Sequence, residues 1–292
     1  MYHQSILVKE FLSFFSELAI RTFIDGTLGA GGHARVLLEA HPEIERLYGF
    51  DRDPEALEIA AETLNPFQER ITLIQANFTD FELYVSGPVE GIFLDLGVSS
   101  MQLDRPEKGF SLYKEGPLDM RMDPTSHPDA ETVVNSYSEQ DLGRIFREYG
   151  EEPRWRAAAK AIAQARAKKR LKTTTDLTEA LKHVLTWGGR RGKKIHPMTL
   201  IFQALRIYVN DELKVLEKML PKGIDALSPG GRFGVLTFHS LEDRIVKHTF
   251  RRFAAEEKAV KILTKKPLVA DREETRRNPR SRSAKLRFIE KL

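Results

Sequence analysis

Three aspartates each close an apolar run in the first third of the chain, and a glycine-rich turn follows the first of them. In TFIDGTLGAGGH (residues 22–33), Asp25 ends the run Thr22, Phe23 and Ile24, and Gly26, Gly29, Gly31 and Gly32 fall within seven residues. In RLYGFD (46–51) and VEGIFLDLG (89–97) the closing acids are Asp51 and Asp95. Such a turn takes backbone conformations closed to residues with a Cβ. It also sets the amides of a following helix beside a cleft where open α/β sheets bind nucleotide-like ligands. Asp51 lies 20 residues beyond Gly31, the spacing at which an acid on a second strand reaches the hydroxyls of a ribose. Gly29, Gly31 and Ala34 also satisfy G-x-G-x-x-A, so the turn alone leaves NAD open. Farther on, FHSLEDR places His239, Ser240 and Asp243 after another apolar run. No second histidine stands at ligand spacing from His239, so no metal is expected. The chain has no cysteine, which excludes disulfides, thiolate metal sites and a cysteine nucleophile.

These residues need strands that end together and helices that return the chain. Strands are expected at 22–25, 46–51, 71–78 and 89–97, with helices from His33 and over DPEALEIAAETLN, where Pro54 takes a first-turn position. Strand and helix alternate, which specifies an α/β fold with a parallel, doubly wound sheet. The alternation then stops. Residues 98–130 are rich in Gly, Pro, Asp and Ser, a loop long enough to be functional. Helices follow in SEQDLGRIFREYG and PRWRAAAKAIAQARAKKRL, the latter with Trp155, Ala159 and Ile162 on one side and Arg156, Lys160 and Lys168 elsewhere. Asp176 and Glu179 have capping-box spacing, and GGRRGKK (188–194) reads as a basic loop. The expected organisation is a first α/β part over 1–104, a helical insert over 105–200 and a second α/β part over 201–292. That second part comprises a long helix over 201–220, a turn at Pro229, Gly230 and Gly231, a strand RFGVLTF and a last strand KLRFIEKL. Ser240 and Asp243 also have capping-box spacing, which makes a helix start the plain alternative to a role at the cleft.

At 292 residues and 41% apolar content the chain can bury a full core. No stretch approaches the roughly 18 apolar residues of a membrane span, and MYHQSILVKEF lacks a basic region followed by an apolar run, so a cytoplasmic protein with no membrane partner is expected. The net charge of +4 conceals a segregation: residues 151–194 hold 13 basic and 4 acidic residues, and residues 241–292 hold 16 and 8. The remaining 196 residues carry 17 basic and 30 acidic. Two basic segments on an acidic body point to a polyanionic partner, RNA or DNA.

DGTLGAGGH, FDRDPEAL, DLGVSSMQLD, the GFS and GPLDMRMDP stretch, YGEE, IHPMTLIFQALRIYVNDEL, FHSLEDRIVK and NPRSRSAKLR occur in that order across nearly the whole chain. Together they resemble the motifs of the MraW family of ribosomal RNA small subunit methyltransferases. The resemblance implies a class I S-adenosylmethionine-dependent methyltransferase sheet, Rossmann-like, with an inserted helical domain for substrate recognition. It implies methyl transfer from S-adenosyl-L-methionine to the N4 amine of a cytidine in the decoding region of 16S rRNA, within the small ribosomal subunit. The cofactor contacts it implies are Gly31, Gly32 and His33 in the turn, Asp51 at the ribose, Phe78 at the adenine, Asp95 and Gln102. The chain departs from the family pattern at Leu200, where an arginine is common, and in HQSILV, which lacks the usual Thr-Pro.

The chemistry adds its own constraints. A sulfonium is a strong electrophile, so the enzyme mainly aligns the acceptor and expels water. The lone pair of cytosine N4 is delocalised into the ring, so hydrogen-bond acceptors on its protons would localise that pair and take a proton. DLGVSS offers Asp95, Ser99 and Ser100 for this, and His239 and Asp243 are further candidates. The absence of cysteine removes the covalent route to pyrimidine C5. Three other readings stand beside this one: an NAD dehydrogenase, a methyltransferase on another nucleic-acid acceptor, and a non-catalytic RNA-binding or ribosome-assembly protein.

Overall fold

The computed structural model describes residues 5–186 and 196–292, so the basic loop expected at 188–194 lies outside the described residues. Two compact units are present: one is built from 1–97 and 213–292, the other from 98–212.

The first unit is a seven-stranded sheet made of β1 (Thr22–Asp25), β2 (Arg46–Asp51), β3 (Ile71–Gln75), β4 (Val89–Asp95), β5 (Leu227–Thr237), β6 (Val260–Ile262) and β7 (Lys285–Lys291), in the order β3-β2-β1-β4-β5-β7-β6. The first five pair in parallel, and β7 runs antiparallel between β5 and β6. Parallel strands covered on both faces read as continuous apolar runs, and side chains alternate between the two layers. Phe23, Leu47, Phe93, Leu236 and Phe288 enter one core with Phe11 and Phe15. Ile24, Phe50, Ile92, Leu94 and Val235 enter the other. The rings on the first face meet edge-on, with Phe15 and Phe23 centroids at 5.1 Å.

Two expectations are corrected in this unit, and one strand is added. The third strand stops at Gln75, because Asn77 accepts the Thr79 N–H and starts a 3-10 turn, Phe78–Leu83. The turn at Pro229 to Gly231 is a bulge inside β5: Val89 pairs with Leu227 and Gly91 with Arg232, so residues 228–231 loop out. The three-residue β6 was missed, since so short an edge strand has no readable alternation.

The second unit packs the helices Ala130–Ser136, Glu139–Glu148, Trp155–Arg166, Thr174–Leu181 and Thr199–Asn210 around its own core, which includes Val133, Phe146, Ile162, Leu177 and Leu205. It therefore spans 98–212 rather than 105–200. The last helix buries Ile201, Phe202, Ala204 and Leu205 in this core, and the continuous helix expected over 201–220 breaks at Asp211, which takes a left-handed φ of 55°. The capping box lies at Thr173 and Asp176, one turn before the expected pair. The 98–130 loop carries a short helix, Ser100–Asp104, and is tied down by buried Asn210, which accepts the Met122 N–H and donates to the Met120 carbonyl, both at 2.8 Å. Among the described residues no helix is long and apolar enough to cross a membrane.

Candidate active site

The glycine turn begins where β1 ends. Gly31 sits at φ +79° as the N-cap of the helix Gly32–Ala40, and no side chain caps that helix. A Cβ on Gly31 would meet Leu64 at 2.9 Å, so position and packing both select glycine. Thr27 in the turn accepts the Asp95 N–H with its hydroxyl, which ties the ends of β1 and β4 together. Asp51 ties in β2: one carboxylate oxygen accepts the Gly29 N–H at 2.8 Å, and the other accepts the Asp53 N–H at 2.9 Å. The acid predicted for the ribose is thus a fastener of the turn as well. Burial pushes its pKa up against the pull of these donors.

His33, named from sequence as a cofactor contact, is buried at 6% exposure with acceptors on both ring nitrogens. Nε2 lies 3.0 Å from the Ile6 carbonyl, and Nδ1 lies 3.4 Å from Asp95 Oδ2. Burial disfavours its charge, but the Asp95 carboxylate and the Ile6 carbonyl outweigh burial and raise its pKa above the ordinary histidine value. An imidazolium satisfies both acceptors at once.

Asp25 was read from sequence only as the end of a strand. It is 2% exposed and accepts one hydrogen bond, from the Thr27 N–H at 3.1 Å. Burial drives its pKa up to about 7; the His33 charge and the Thr27 N–H oppose this, and the charges of Asp95 and Asp51 add to it. Asp25, Asp51 and Asp95 therefore form one coupled acidic cluster beside the glycine turn, with His33 inside it. The sequence signal was present in three acids at three strand ends. Their mutual proximity required the parallel register that pairs Asp25 with Gly49 on one side and Phe93 on the other.

Phe78 opens the 3-10 turn after β3, half-buried, and packs on Gly26, where an added Cβ would lie 3.1 Å from the Phe78 Cβ. His239, a catalytic candidate from sequence, stands just after β5. It is the N-cap of the helix Ser240–Ala255, so the cap lies one residue before Ser240. Its Nδ1 accepts the Glu242 N–H, its Nε2 lies 3.1 Å from Glu242 Oε1, and Glu242 in turn accepts the N–H groups of Phe238 and His239. Asp243 is held at 2.7 Å by Arg287 and at 3.1 Å by Lys285. Burial would raise its pKa, but these two cations hold it below the usual carboxylate range, which makes it a poor base. Ser99 and Gln102 belong to the second unit, where they cap each other: the Ser99 N–H donates to Gln102 Oε1, and the Gln102 N–H donates to Ser99 Oγ.

An open sheet in this order, with β7 antiparallel between β5 and β6 and a glycine turn after β1, fits the class I S-adenosylmethionine-dependent methyltransferase sheet that the resemblance implies. A dinucleotide-binding sheet instead completes a second parallel half, in the order 3-2-1-4-5-6. The sequence profile of the MraW methylase family matches residues 1–292, and the chain belongs to that family. It is 49% identical to ribosomal RNA small subunit methyltransferase H of Protochlamydia amoebophila, over 99% of this chain and 97% of that one. The protein of the same name from Chlamydia trachomatis serovar D is 50% identical, over 99% and 96%. That of Persephonella marina is 46% identical, over 99% of each.

Proposed function

We propose that this chain transfers a methyl group from S-adenosyl-L-methionine to the exocyclic N4 amine of a cytidine in the decoding region of 16S rRNA. The observation that carries the cofactor is the acidic cluster. Asp25, Asp51 and Asp95 around one histidine favour a ligand bearing a sulfonium and an ammonium and repel the diphosphate of a dinucleotide. When bound, the cofactor supplies an electrophilic methyl group. Asp51 offers its remaining lone pairs to the ribose hydroxyls, Phe78 covers the adenine, and the turn at Gly31, Gly32 and His33 lets the ligand approach the backbone.

The names of the relatives support small-subunit rRNA as the substrate, and the groups at the end of β4 support an amine as the acceptor. Asp95 keeps its carboxylate partly open, with 22% of the side chain exposed, and His33 holds one of its oxygens. It is the group we assign to accept an N4 proton. His239 stays a further candidate to take a proton: its Nδ1 accepts the Glu242 N–H, and its buried Nε2 has no hydrogen-bond partner among the described residues. The exposed Arg156, Lys160, Lys168 and Lys172 of the helical unit suit contacts to flanking phosphates. A cytidine must leave its stack to be methylated, which favours an open rRNA segment. The test incubates purified enzyme and labelled cofactor with small subunits lacking the modification, then digests the rRNA. Label in N4-methylcytidine is expected; label in 5-methylcytidine, in a ribose methyl or in no rRNA nucleoside refutes the assignment.

A further inference from the structure

Tyr113 is the most exposed large apolar side chain among the described residues, at 82%. An exposed ring is unremarked on most surfaces, but this one is presented on a loop tied down on both sides. The buried Ser111 hydroxyl accepts the N–H groups of Tyr113 and Lys114, both at 3.2 Å. Lys114 Nζ donates to the Asp104 carbonyl at 2.7 Å, and the Thr174 hydroxyl donates to the Lys114 carbonyl at 3.1 Å. Beyond it the Gly116 carbonyl accepts the Thr174 N–H at 2.9 Å. The ring of His196 stands edge-on to Tyr113, with centroids 5.9 Å apart and planes at 79°.

We propose that Tyr113, with His196 as its side wall, is a stacking platform for one unpaired nucleobase of the RNA. This rests on the rRNA reading above and adds to it a binding site outside the cofactor turn. Every base has a π face that an aromatic ring can take, and recognition of single-stranded RNA relies on such stacking. Lys114 and Glu115, the two residues after Tyr113, are exposed and charged, which does not suit an apolar partner surface. Because the loop is already pinned, little ordering cost falls on binding.

The test uses a single-stranded RNA oligonucleotide of the decoding-region sequence, with 2-aminopurine placed at successive positions around the target cytidine. Tyr113→Ala should weaken binding roughly 5- to 150-fold and relieve fluorescence quenching at one position, while Tyr113→Trp and Tyr113→Phe bind like the parent. Parent-like affinity for Tyr113→Ala overturns the platform. So does a loss in Tyr113→Phe equal to that in Tyr113→Ala, since the hydroxyl and not the ring would then be the contact, and so does a loss that Tyr113→Trp fails to restore. Binding is read without methyl transfer. A parent enzyme that leaves cytidine unmethylated would therefore count against the proposed function and not against the platform.

Discussion

Replacing Asp25 by asparagine should make the protein more stable and a weaker binder of its cofactor. The buried carboxyl has a folded-state pKa of about 7 against 3.8 for the ordinary group. The folded chain therefore keeps a proton that the unfolded chain releases, and the stability associated with this group falls as pH rises from about 4 to 7 and stays lost above that. A gap of about three pKa units at 1.36 kcal/mol each sets a ceiling of about 4 kcal/mol at pH 8. The same two pKa values leave less than half of that at pH 5. Asparagine keeps an acceptor for the Thr27 N–H and cannot ionise, so it should recover roughly 1–4 kcal/mol at pH 8, with the gain shrinking on acidification. Thermal melts of parent and variant at pH 5, 6.5 and 8 would read this as a rise of a few degrees in Tm at pH 8. Calorimetric titration at pH 8 should show weaker binding of adenosylmethionine, because one anion facing a cationic ligand is gone. Equal Tm at pH 8 would refute the buried charge. Unchanged affinity would refute the claim that the acidic cluster serves the cofactor.

Asp51→Ala should lower adenosylmethionine affinity by about 1.5–3 kcal/mol, the range for a hydrogen bond to a charged group, and should also lower Tm because the Gly29 and Asp53 N–H groups lose their acceptor; titration calorimetry with a parallel melt checks both. Asp95→Asn should reduce kcat roughly 10²- to 10⁴-fold, the usual weight of a positioned proton acceptor, and single-turnover methylation of small subunits would contradict this if the rate held. Neutralising exposed Arg276, Arg277, Arg280 and Arg282 with glutamine should flatten the salt dependence of RNA binding by up to ~0.7–0.9 in slope per lost phosphate contact, with cofactor affinity unchanged. A slope equal to the parent's would make this segment a solvated surface only.

Local patterns carried much of this protein. Apolar runs ended by acids, glycines at turn spacing and Ala/Leu periodicity depend on nearest neighbours in the chain, so the strands at 22–25 and 46–51, the helix after the glycine turn and the fourth strand, expected over 89–97 and ending at Asp95, were readable without coordinates. The ordered motifs carried the family. What remained needed contacts between distant segments. His33 became a bridge between Ile6 and Asp95 only when the helix after the turn packed beside β4. Asp25 acquired its raised pKa from burial, a property of the whole sheet. The cap expected at Ser240 lies one residue earlier, at His239, and the position of Glu242 decided that. The break at Asp211 was hidden because residues on both sides keep helical periodicity, while two separate cores claim the two halves of the run. Side-chain type and spacing are one-dimensional, so the sequence by itself determined the elements and their ends. Burial, charge coupling and the partition between two cores sum over neighbours in space, and only the tertiary structure decided them.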